Sequence, residues 1–154
     1  MNTYERIFGS GPRGVTISLL LFAIAYLLED STGLPDITRS ETLRYLGFAL
    51  ASLITFAILI WSLKSLPPNQ RGQHLVTTGA FKYFRHPLYA AFLSCFDFGL
   101  ALLLNNGIYL IWAILLHPIW HLNVSTEEAM LKREFGAEYA DYCKATGRFF
   151  PRLF

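Results

Sequence analysis

The sequence predicts an all-α, polytopic membrane bundle: about four transmembrane helices followed by an amphipathic helix on the cytoplasmic side. Two observations carry this. Of the 154 residues, 53% are hydrophobic and 16% charged, against roughly 25% charged in soluble domains; that composition overfills a soluble core. The apolar residues also gather in four runs near the ~20 residues that a helix needs to cross a bilayer core. The loops between them differ in charge.

The first run, Gly14 to Leu28, carries no charge and is the shortest, so it must borrow flanking residues. Arg6 and Arg13 ahead of it, and Ala23-Ile24-Ala25 within it, also fit a cleavable signal peptide. The apolar run continues past that cut through Tyr26-Leu27-Leu28, and three more runs follow, which predicts a retained helix. The second run, Tyr45 to Leu63, is uncharged and bracketed by Arg44 and Lys64. The third, Pro87 to Leu104, holds one charge, Asp97. The fourth, Gly107 to Val124, holds His117, Pro118 and His121. Asn105-Asn106-Gly107 between them predicts a tight helical hairpin. Ser125 and Glu128 then fit a capping box that would start a separate tail helix. Leu131, Phe135, Tyr139 and Tyr142 recur at helical spacing, Gly136 is a candidate kink, and Pro151 is a stop.

Loop charge orients the bundle. The segment from Glu29 to Arg44 is acidic on balance. The segment from Lys64 to His86 carries Lys64, Arg71, Lys82 and Arg85 and no acid. The tail adds Lys132, Arg133, Lys144, Arg148 and Arg152. The positive-inside rule then puts both termini and the second loop on the cytoplasmic face, in the inner or plasma membrane if the source is bacterial.

Several function classes are excluded. A net charge of +2, with basic residues interrupted by apolar runs, argues against nucleic acid. Cys95 and Cys143 make no disulfide framework. The stretch Gly9-Ser10-Gly11-Pro12-Arg13-Gly14 lacks the preceding strand of a dinucleotide loop and is read as a flexible lead-in to the first helix. His117 and His121 share a helical face, but two ligands fall short of the three or four of a metal site. Asp97, mid-span, costs about 2.5–3.5 kcal/mol to insert ionised, so it points either to a polar path or to a helix-tying hydrogen bond.

Two polar blocks share the cytoplasmic face. Leu75 to Tyr89 (LVTTGAFKYFRHPLY) offers cations, aromatics and a proline-fixed helix start, where Arg85 and His86 could hold an anion. Glu127 to Tyr142 (EEAMLKREFGAEYADY) offers paired carboxylates that could hold a cation. Together they would grip a zwitterionic ligand at the membrane surface. Ordinary positive-inside flanking beside an amphipathic tail would also explain both blocks.

The blocks resemble the isoprenylcysteine carboxyl methyltransferase family of integral membrane enzymes. The shared pattern is Leu75-Val76-Thr77 with Gly79 and Phe81, then Arg85-His86-Pro87 with Tyr89, an apolar hairpin, Glu127-Glu128, Phe135-Gly136, Tyr139, Tyr142 and Pro151. It covers the C-terminal half, Leu75 to Pro151. The resemblance implies S-adenosylmethionine as methyl donor, bound without a Rossmann domain, and a lipophilic or lipidated acceptor reached from the bilayer. It implies Arg85, His86 and Glu127 as the reaction-centre residues. The implied cofactor contacts are His74, Leu75, Val76, Phe81, His86, Pro87, Leu88, Tyr89, Glu127 and Glu128. Asn123 stands where prenyl-protein enzymes carry a substrate-binding arginine, and with Asp97 it is a candidate on the acceptor side. The chain then reads as one membrane domain, residues 1–66 a two-helix part and residues 67–154 the catalytic part. Two rival readings are an NADPH-dependent sterol-type reductase, from whose pattern Leu88 and Ala90-Ala91 depart, and a non-catalytic membrane subunit or transport bundle using Asp97, His117 and His121.

Overall fold

The computed structural model of the chain describes residues 10–66 and 74–152. Arg6, Gly9, Arg71 and Gln73 lie outside the described residues. Four helices are long and apolar enough to cross a bilayer: α1 (Gly11–Thr32), α2 (Glu41–Ser65), α3 (Pro87–Leu104) and α4 (Gly107–Ala145). Among the described residues there is no strand, only one isolated bridge, between Phe84 and Gly147. The molecule is an all-α membrane bundle.

The helix ends follow local chemistry. Pro12 sits in the first turn of α1, and Gly33 ends it in the left-handed region at φ 61°, a position that favours glycine. The Ser40 hydroxyl caps α2 by accepting from the Leu43 N–H, 3.2 Å. Asn105 turns the chain between α3 and α4 at φ 62°, and the Asn106 side chain caps α4 by accepting from the Ile108 N–H, 3.0 Å. The hairpin expected at Asn105-Asn106-Gly107 is formed.

The α3–α4 hairpin is the centre. Leu93, Ala101, Tyr109, Trp112, Leu116 and Trp120 make most of its core. Helix α1 packs chiefly on α4, and α2 chiefly on α3, so the space order is α1, α4, α3, α2. Close approach uses small residues, as is usual between membrane helices. A Cβ at Gly99 would lie 2.5 Å from the Cβ of Ala51, and one at Gly14 would lie 2.5–2.6 Å from Trp120 and Asn123. The outer flanks of α1 and α2 expose Leu19, Leu20, Leu27, Leu46, Leu50 and Leu53 by more than half. Lipid tails are the solvent that makes such a surface favourable.

One turn of α3, Phe92–Phe96, is a π-helix. Its widened spacing frees carbonyls that need outside donors in an apolar setting. The Thr55 hydroxyl donates to Ala91 O at 3.3 Å, and His117 Nε2 donates to Leu93 O at 3.1 Å. His117 is therefore a backbone partner inside the bundle.

Three expectations are corrected. No separate tail helix starts at Ser125: α4, 39 residues in all, continues through it and is interrupted only at Gly136, so its first piece alone, roughly 44 Å, outruns the ~30 Å bilayer core. The run Glu127-Glu128-Ala129-Met130-Leu131-Lys132 consists of strong helix formers, so nothing breaks the helix, and the Ser125 hydroxyl donates back to Leu122 O. Gly136 does interrupt the helical geometry, at φ 55° and ψ −122°. Leu131 and Phe135 thus belong to one helical piece and Tyr139 and Tyr142 to another, not to a single face. Finally, Ser10 to Gly14 is no flexible lead-in, because it is fastened to α4 as described next.

Candidate functional site

The site forms where the segment before α3 meets the end of α4 and the chain beyond it. Residues 84–86 run beside residues 147–148: Arg85 N–H donates to Gly147 O at 2.8 Å, and His86 N–H to Arg148 O at 3.2 Å. The Tyr142 hydroxyl donates to Phe81 O at 2.6 Å. The short 3-10 turn Gly79–Lys82 is tied to the end of α2, where the Ser65 hydroxyl accepts from the Ala80 N–H at 3.1 Å. Gly79 is at φ 62°, and a Cβ there would lie 2.2 Å from the Ser65 oxygen, so this turn requires glycine. Phe149, 1% exposed, sits under His86 and His121, with ring centroids 6.1 and 4.8 Å away.

Glu128 is the electrostatic hub. Its Oε1 accepts from Arg85 Nε at 2.9 Å, Arg148 Nε at 3.1 Å and His86 Nε2 at 3.2 Å, and its Oε2 accepts from Arg148 Nη2. The side chains of Glu128, Arg85 and Arg148 are 11%, 12% and 23% exposed. Such a ring of donors holds a carboxylate ionised. Burial works against the Arg85 charge, but the Glu128 carboxylate more than offsets it and raises the guanidinium above its ordinary value. Arg85 Nη1 also donates to Cys143 O and Thr146 O. Read from sequence as half of an anion grip, Arg85 is thus engaged by Glu128 and two carbonyls.

Glu127 is different. Its Oε2 accepts from the Ser10 N–H at 3.1 Å and the Ser10 hydroxyl at 2.8 Å. Its Oε1 lies 4.0 Å from His86 Nδ1, too far for a hydrogen bond, and its side chain is 24% exposed. His86 stands between the two carboxylates. Its ring stacks on Tyr89 at 5.5 Å, and Tyr89 packs on Trp120 at 4.6 Å, making an aromatic shelf. Asn123, one turn before Glu127, donates through Nδ2 to Ser10 O at 2.8 Å. Its Oδ1 is buried without a partner among the described residues.

The structure therefore joins Arg85, His86, Tyr89, Asn123, Glu127 and Glu128 in one linked cluster. Pro87 is buried beside it, and Leu88 and Phe81 are half-buried at its edge. Leu75 and Val76 are half-buried and His74 is exposed on the stretch leading to the 3-10 turn. Asp97 is buried on α3, roughly three helical turns from His86, outside the cluster. His121 Nδ1 faces Arg148 Nη1 at 3.1 Å, while His117 faces Leu93, so the two histidines have separate partners. On the far side of Glu128, α4 bends at Gly136 around an open groove of about 320 Å³ lined by Glu128, Lys132, Tyr139 and Cys143.

Sequence reasoning gave no role to Arg148 or Ser10. Arg148 had no local signal, since its carboxylate is 20 residues back across the Gly136 break. Ser10 had one: a serine directly before Gly11-Pro12 is a helix-start signature.

Comparison with known proteins places the chain in a family. The phospholipid methyltransferase family matches residues 42–138. The nickel-cobalt-cadmium resistance protein NccN of Alcaligenes xylosoxydans xylosoxydans is 33% identical over 140 residues, 90% of this chain and 62% of that protein. The cobalt-zinc-cadmium resistance protein CzcN of Cupriavidus metallidurans is 29% identical over 141 residues, 91% of this chain and 63% of that protein. The chain thus spans about three fifths of the length of these two relatives. The protein-S-isoprenylcysteine O-methyltransferase of Schizosaccharomyces pombe is 37% identical over 71 residues, 46% of this chain and 30% of that protein. The family match takes in α2, α3, the Arg85-His86-Pro87 start and both carboxylates, and on that match the chain belongs to the phospholipid methyltransferase family, the membrane family that includes isoprenylcysteine methyltransferase-like proteins.

Proposed function

We propose that the protein transfers a methyl group from S-adenosylmethionine to a lipophilic or lipidated acceptor at the membrane surface. The observation that carries this reading is the Glu127 side of the site. Among the described residues, one carboxylate oxygen, Oε1, is left without a close partner at 4.0 Å from His86, beside the His86–Tyr89–Trp120 shelf. A carboxylate and aromatic faces suit a ligand that carries an ammonium and a sulfonium. The donor set fits that group: Glu127 takes the ammonium, and the shelf borders the sulfonium or the adenine. Leu75, Val76, Phe81, Pro87 and Leu88 form the apolar wall, with His74 at its outer edge. Arg85 and Arg148, both held by Glu128, shape the site and its field.

Held by Glu127 and the aromatic shelf, S-adenosylmethionine would supply an electrophilic methyl, with the acceptor methylated and S-adenosylhomocysteine as the other product. Little acid–base help is needed when the acceptor is an anion, so rate comes mainly from alignment. The acceptor enters between helices from the lipid side; Asn123, which stands where the prenyl-protein enzymes carry an arginine, is itself buried against Ser10. The loop charges orient the site, both termini and the second loop toward the cytoplasm.

The experiment is a titration of the detergent-solubilised protein with S-adenosylmethionine and, in parallel, with NADPH, followed by transfer of labelled methyl into a membrane extract. Binding of the first ligand and a labelled lipid product support the reading; binding of NADPH alone supports the reductase instead. The NccN and CzcN relatives, named as metal-resistance proteins, are compatible with a second reading, a non-catalytic membrane subunit. It predicts no cofactor binding, and loss of function on Asp97→Asn with His86→Ala harmless.

A further inference from the structure

We propose that Ser10 is a positioning residue for the cofactor's ammonium, which makes α1 a wall of the site and not only a membrane anchor. The inference rests on the methyltransferase reading above. Ser10 occupies the N-cap of α1, where a serine hydroxyl ordinarily accepts a hydrogen bond from its own first turn. Here its side chain makes no such bond. Both its hydroxyl and its N–H donate instead to a single oxygen, Oε2 of Glu127, 117 residues away.

That double bond selects one orientation of the Glu127 carboxylate. A free glutamate side chain samples many rotamers, and ordering it carries an entropic cost. With Oε2 pinned by Ser10, Oε1 is the oxygen left toward His86 and the aromatic shelf. Ser10 is itself held. Asn123 Nδ2 donates to its carbonyl, and Trp120 Nε1 donates to the Ser18 hydroxyl at 2.9 Å, two turns further along α1. Gly14 lets α1 come this close, since any side chain there would overlap Trp120 and Asn123.

The atoms left unfilled around this clasp are acceptors. Among the described residues, Glu127 Oε1 has no hydrogen bond, and Asn123 Oδ1, on a residue 7% exposed and four positions earlier on the same face of α4, has no partner. Two open acceptors and a negative charge match a group with several N–H donors and a positive charge. An ammonium is such a group, and a carboxylate is not.

The test titrates the full chain in detergent with S-adenosylhomocysteine and with an analogue that lacks the α-amino group. Ser10→Ala weakens S-adenosylhomocysteine by roughly tenfold, the scale of one hydrogen bond to a charged group. It leaves the deaminated analogue within about twofold of the unmodified protein, and Ser10→Thr, which keeps the hydroxyl, restores most of the loss. Equal weakening of both ligands assigns Ser10 to folding alone and overturns the inference. Unchanged affinity for S-adenosylhomocysteine overturns it too. If the unmodified protein binds neither ligand, the methyltransferase reading fails, and this inference with it.

Discussion

Glu127 and Glu128 are neighbours in the chain, yet they stand on opposite sides of the site and do different work. Glu128 is surrounded by Arg85, Arg148 and His86 and is closed off on both oxygens. Glu127 is held through one oxygen by two neutral donors and keeps the other open. Successive residues on a helix point about 100° apart, so one side chain faces the tail of the chain and the other faces α1. The difference teaches that the paired acids are not a single cation trap. One is a structural counter-ion that holds the segment before α3 to the end of the chain; the other is available to a ligand.

Four substitutions break or sharpen that contrast. The largest expected effect is on the closed side. Glu128→Ala leaves Arg85 and Arg148 half-buried without their counter-charge, a loss of about 3–5 kcal/mol, read as a fall in the unfolding midpoint in detergent. A change below about 1 kcal/mol would make the two sides equivalent. Next comes the open side. Glu127→Gln weakens S-adenosylmethionine by ten- to a hundredfold, about 1.4–3 kcal/mol, while the unfolding midpoint stays close to that of the unmodified protein. A stability loss as large as that of Glu128→Ala would erase the distinction. Gly136→Ala has a smaller effect. Nothing lies within 4 Å of the added Cβ, so only the backbone opposes it: φ 55° with ψ −122° lies outside the left-handed helical well, at about 1–3 kcal/mol. The readout is closure of the Glu128–Tyr139 groove, followed by labelling of Cys143 with a thiol reagent. Smallest of all, Leu53→Ala on the outer flank of α2, 67% exposed, shifts the midpoint by less than about 0.5 kcal/mol. A larger shift would mean that this flank meets something other than lipid.

Much of the bundle was legible because membrane helices announce themselves by length and polarity. Four runs gave four spans, and Asn105-Asn106-Gly107 gave the turn. That the Arg85-His86 and Glu127-Glu128 blocks meet in one place was also legible from their loop positions; that Arg85 and His86 bond directly to Glu128, and do not face it across a ligand, was not. Which acid meets the cations was not, because no local feature distinguishes adjacent glutamates; the choice is made by Arg148, which arrives only after the chain breaks direction at Gly136. The end of the fourth span was misplaced for a related reason. Polarity marks where lipid contact stops at Val124, but helix propensity carries the backbone on to Ala145. Ser10 was passed over because its partner lies at the other end of the sequence.

The space order α1, α4, α3, α2 has a consequence for biogenesis. Of the four helices described, α1 leaves the ribosome first, yet the helix that receives it, α4, emerges after the other three. Its anchoring bonds, Ser10 to Glu127 and Trp120 to Ser18, span 117 and 102 residues. Until α4 emerges, α1 is therefore expected to wait in the bilayer with Gly14 and Ser18 turned toward lipid, and the clasp to close by lateral docking once α4 has been inserted. A nascent chain halted before Gly107 is expected to leave α1 undocked, a state that crosslinking from Ser18 to Trp120 at successive chain lengths would time.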